Sequence, residues 1–122
     1  MIARGGGVIL VFGGAGDPPR GYHLGGLQTA FHAMEAMRRQ LSMELGPHGV
    51  RVITLRTGGI AESIPGSFER RDDIVAGIEG ATMLGRAATL EDLAEVAAFV
   101  ASDRARSMTA ATANISCGTF CD

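Results

Sequence analysis

Lysine is absent from this 122-residue chain, tryptophan is absent as well, and tyrosine occurs once, at Tyr22. All eleven basic residues are therefore arginines, set against thirteen acids for a net charge of −2. No ammonium side chain is available to any site. The arginines stand singly or in pairs and build no basic stripe, which argues against nucleic acid and anionic membrane as partners. No apolar run approaches the ~18 residues of a membrane helix, and Met1–Arg4 leads into glycines rather than a signal-peptide core, so the expectation is a cytoplasmic protein. Cysteine is scarce too. Cys117 and Cys121 are separated by three residues, a spacing that fits neither a Cys-x-x-Cys redox pair nor a zinc site, and reads as two reduced thiols. His32 and His48 have no partner ligand at helical spacing, and no metal site is expected.

The apolar residues that are present fall into short, ordered runs. Val8–Phe12 (VILVF) is bounded by glycines, as a strand buried in a parallel sheet reads. Gly13–Pro19 breaks it, and the Gly-Gly-Ala-Gly stretch within is a plain loop: Asp17-Pro18-Pro19 stands where a phosphate-binding helix would have to open. From Gly25 or Gly26 to Leu45 the spacing of Ala30, Met34, Met37, Leu41 and Leu45 predicts a helix stopped by Gly46-Pro47. Val50–Leu55 is a second strand. A short helix is expected around Phe68–Ile78, and Thr89-Leu90-Glu91-Asp92 opens another with a capping box and the stripe Leu93, Val96, Ala97, Val100. Thr112–Ser116 is a weakly signalled third strand. This order implies parallel crossovers and an α/β layered sheet in one domain, residues 1–122.

Four stretches, in order and with their spacings kept, carry a resemblance: Glu44–Val52 (ELGPHGVRV), Thr57–Ile60 (TGGI), Gly85–Asp92 (GRAATLED) and Ala98–Asp103 (AFVASD). Together they resemble the carboxyl-terminal half of the short-chain dehydrogenases/reductases. The resemblance implies a partial Rossmann-like domain with three parallel strands, NAD or NADP as cofactor, and hydride transfer between that cofactor and a carbonyl or alcohol. It also implies that the dinucleotide fingerprint and four further strands precede this sequence.

The family works with a serine, a tyrosine and a lysine, whose positions fall on Gly14, Leu27 and Phe31. A tyrosine can act as acid or base near neutral pH only with a cation beside it, and none of these three residues supplies a hydroxyl or a cation. Since the chain has no lysine, no shift of register restores the ammonium. Tyr22, in the loop before the helix, is an outside candidate for the acid. The family's nicotinamide-contacting segment falls on Thr57, Gly58, Gly59 and Ile60. The expectation is thus an oxidoreductase by lineage that is inactive or incomplete as this chain alone; the alternative is a non-catalytic binding or assembly subunit, with Leu27 and Phe31 lining a pocket for an apolar small molecule.

Two surfaces suggest partners. If the sheet follows the family's topology, Val8–Phe12 is left as an apolar edge, a template for association with a second copy or with a missing amino-terminal half. Ala33, Ala36 and Gln40 form a small-residue stripe suited to helix–helix contact in a homo-oligomer.

Overall fold

A computed structural model describes residues 1–13 and 23–121. Three strands, β1 (Gly7–Phe12), β2 (Val50–Thr57) and β3 (Ala111–Ile115), form a parallel sheet in the order β1-β2-β3. Between them run α1 (Gly25–Leu45), α2 (Arg71–Gly80) and α3 (Leu90–Ala101). Parallel neighbours require crossovers, and the helices supply them. Each strand expected from sequence is found within two residues of its expected ends. The second helix starts three residues later than expected, because Arg70 takes a left-handed conformation at its cap (φ 60°).

Register fixes which side chain faces which layer. Val11 lies opposite Thr54, and Leu55 opposite Ala113. Side chains alternate across the sheet. Ile53, Leu55 and Ile115 pack with Val100 of α3, with Leu93, Val96 and Ala97 against them, so the sequence stripe of α3 is the one that is buried. Val50, Val52 and Thr54 point to the other face, where α1 lies. The capping box of α3 is present: Thr89 Oγ1 accepts from the Asp92 amide at 3.0 Å, and Asp92 accepts from the Thr89 amide at 3.0 Å.

At the other end of α3, Arg51 on β2 satisfies the carbonyls the helix leaves open. Its guanidinium donates to Val100 O (2.8 Å), Ser102 O (3.0 Å) and Met108 O (3.2 Å). One strand residue thereby ties the helix end to the segment entering β3.

Helix α1 corrects the sequence reading of its buried face. Met37, expected in the core stripe, is 52 % exposed and Ala30 is exposed, whereas Arg38 and Ser42 are buried. The reason is polar satisfaction. Arg38 donates to Glu35 at 2.9 and 3.1 Å, the Thr54 hydroxyl donates to Glu35 at 2.6 Å, and the Ser42 hydroxyl donates to the Arg38 carbonyl at 2.8 Å. A charged residue can turn inward when its partner turns with it. Glu35 thus pairs three residues on, with Arg38, and Gln40 bonds Glu44 at 2.6 Å.

Among the described residues β1 pairs only with β2, and its outer edge is open. Among the described residues no helix is long and apolar enough to cross a membrane.

Candidate functional site

In an open parallel sheet, ligands gather at the carboxyl ends of the strands. At the end of β1 the Gly13 amide continues the ladder by donating to Leu55 O at 3.1 Å. Gly13 has φ 139°, and a Cβ there would lie 2.8 Å from the Phe31 ring. Only a glycine accepts both that backbone and that contact. Phe31, two turns into α1, thus covers the end of β1, and Leu27, one turn earlier, is 47 % exposed. Gly14 and Tyr22 lie outside the described residues. The side chains at 27 and 31 are hydrocarbon and carry no exchangeable proton.

Beyond β2, Thr57-Gly58-Gly59-Ile60 leaves the sheet in close contact with its neighbours. A Cβ at Gly58 would lie 2.5 Å from Thr119 Oγ1 and 3.2 Å from Ser116 O, and Gly59 has φ 121° with Ile78 against it. The segment is glycine because the turn after β3 presses on its backbone. The sequence pointed to these four residues; it did not show that residues 116–119 are what hold them. Arg56, the neighbouring strand residue, sits 4.9 Å from the centre of the Phe120 ring, which closes the same corner.

Arg86 and Asp92 form an ion pair, joined at 2.6 and 3.3 Å. The Arg86 bond and the Thr89 amide hold the Asp92 carboxyl down to about 2. Among the described residues no cluster of His, Cys, Asp or Glu is arranged to hold a metal ion. Gly13 with Phe31, and Thr57–Ile60, place backbone groups and hydrocarbon at the carboxyl ends of β1 and β2.

A parallel sheet with helices on both faces, and glycine-bearing segments at the strands' carboxyl ends, defines a Rossmann-like α/β domain. Residues 2–119 match the family model described as enoyl-(acyl carrier protein) reductase. The chain belongs to this family, within the short-chain dehydrogenases/reductases. It is 29 % identical over 119 residues to tropinone reductase-like 3 of Erythroxylum coca, covering 97 % of this chain and 45 % of that one. It is 28 % identical to the enoyl-[acyl-carrier-protein] reductase [NADH] FabI of Bacillus cereus, covering 97 % and 46 %. The crystal structure of the Bacillus cereus enoyl-acyl carrier protein reductase with NADP+ and indole naphthyridinone superposes with a TM-score of 0.77 at 27 % identity, over 93 % of this chain and 44 % of that one. The chain spans less than half the length of these relatives.

Proposed function

We propose that these residues correspond to the carboxyl-terminal half of an NAD(P)-linked oxidoreductase domain, and that this chain alone does not carry out hydride transfer between the cofactor and a carbonyl or alcohol. The observation that carries the reading is Phe31. The family's lysine position holds a phenyl ring laid against Gly13, and the chain contains no lysine to stand in for it. With Leu27 at the tyrosine position and Gly14 at the serine position, the proton donor and the cation that would activate it are both missing. Thr57, Gly58, Gly59 and Ile60 are the part of a nicotinamide site that this half retains. NAD or NADP is the cofactor to which the lineage points, since one relative is named for NADH and another is solved with NADP+.

A second reading, a binding or assembly subunit without catalysis, draws on two surfaces. The outer edge of β1 is unpaired among the described residues, and Met37 and Met43 of α1 are 52 % and 68 % exposed. A second copy, or a separately supplied half carrying the remaining strands, would cover both; the family's own dimer forms along the helix equivalent to α1. Calorimetry with NADH and NADPH, with the mass in solution determined on the same sample, tests both readings. We expect no binding at micromolar cofactor and an oligomer rather than a monomer. Micromolar binding would overturn the claim of an incomplete site, and a stable monomer in dilution would overturn the assembly reading.

A further inference from the structure

We infer a second ligand site, separate from Thr57–Ile60 and independent of the oxidoreductase reading, that takes an apolar small molecule with a cationic end. It is a groove of about 840 Å3 between the first half of α3, residues 83–86 and the turn after β3. That volume lies in the range of small-molecule sites, and none of residues 57–60 lines it. Its apolar surface comes from Met83, Leu84, Val96, Ile115 and Phe120. Met83 and Leu84 are 73 % and 69 % exposed, leaving hydrocarbon in water that a ligand body would cover.

The charges at the rim select the sign of the ligand. Four charged side chains line the groove: Arg86, Glu91, Asp92 and Glu95. Arg86 is already engaged by Asp92 at 2.6 and 3.3 Å and by the Ala87 carbonyl at 3.1 Å. Glu91 and Glu95 remain, and among the described residues neither forms an ion pair. They stand one turn apart on α3, which contains no basic residue. Like charges at this spacing repel, and a cation between them relieves the repulsion. A phosphate or carboxylate would add to it.

The walls are joined before any ligand arrives. The Cys117 carbonyl accepts from the amides of Met83 (3.0 Å) and Leu84 (3.1 Å), and the Ser116 hydroxyl accepts from the Phe120 amide at 3.2 Å. Cys117 holds this position with a left-handed backbone, φ 53°, which tertiary contacts must impose on a non-glycine residue. A groove fixed in this way loses little entropy on binding.

Matched probes test the assignment: hexyltrimethylammonium and hexanesulfonate, titrated into this chain by calorimetry and by amide chemical shifts. We expect saturable binding of the ammonium, with shifts at Met83, Leu84 and Cys117, and sulfonate binding weaker by roughly tenfold, the scale of two exposed ion pairs. Glu91→Gln with Glu95→Gln should weaken the ammonium by a similar factor while leaving the far-UV spectrum unchanged. Equal binding of the two probes, shifts centred elsewhere, unchanged affinity in the double variant, or no saturable ammonium binding by the folded chain would each overturn the site.

Discussion

Removal of the Glu35 carboxylate tests how α1 is held to the sheet. In Glu35→Ala the Thr54 hydroxyl loses its 2.6 Å acceptor and Arg38 loses bonds of 2.9 and 3.1 Å. Arg38 cannot turn to water: its side chain is 7 % exposed, against 12 % for Glu35, and its Nη1 is already buried with no partner among the described residues. Removing one partner of a buried pair costs about 3–5 kcal/mol, and the residual exposure of Glu35 places this case near about 3 kcal/mol. That is a large share of the ~5–15 kcal/mol that stabilises an ordinary domain. Because an apolar substitute for a whole buried pair is often neutral, adding Arg38→Met should recover most of the loss. Urea unfolding followed by circular dichroism measures both. A loss below about 1 kcal/mol in Glu35→Ala, or a double variant no better than the single, would refute this account of the α1 interface. The pH dependence supplies a second readout. Burial raises the Glu35 pKa, but the bonds from Thr54 and Arg38 and the charges of Arg38 and Arg39 outweigh it and leave the pKa below its ordinary value. A carboxylate with a lowered folded pKa contributes stability fully above its unfolded pKa, and that contribution fades as pH falls through the folded value. Wild type should therefore lose this contribution in acid, and Glu35→Ala should not.

Two further perturbations probe other contacts. Arg51→Met removes three hydrogen bonds to carbonyls around the end of α3 and should cost about 2–3 kcal/mol, seen by scanning calorimetry as a Tm lower by roughly 10 °C; an unchanged Tm would show that water satisfies those carbonyls equally well. Gly58→Ala drives a methyl to within 2.5 Å of Thr119 and should destabilise by about 2 kcal/mol, recovered in part by Thr119→Gly; a change within about 0.5 kcal/mol in urea unfolding would mean the turn after β3 yields freely.

Much of the architecture is local in origin and therefore legible. Val8–Phe12 and Val50–Leu55 are apolar, largely β-branched runs between glycines or polar breaks, and both are strands. Thr89 and Asp92 close a capping box that depends only on residues three apart, and it forms as the sequence implies. The end of α1 at Gly46-Pro47 is equally local. At the site, the absence of lysine and the glycines at 58 and 59 were plain in the sequence, while the contact of Phe31 with Gly13 and the pressure of Thr119 on Gly58 were not. Each of the latter joins residues far apart in the chain, and nothing in the local pattern encodes them.

The sequence by itself determined the strand–helix order, the parallel α/β class and the shortage of proton-transfer groups, because periodicity, caps and composition act over a few residues at a time. Tertiary structure decided which way α1 faces. The apolar stripe through Met37 lost to Arg38 and Ser42 because Glu35 and Thr54, nineteen residues apart, meet there and make a buried guanidinium tolerable. It also decided the left-handed turn at Cys117, where the Met83 and Leu84 amides converge on a single carbonyl. The reason is the same in both places: the cost of burying a charge or straining a backbone depends on distant partners, and only the folded chain brings those partners together.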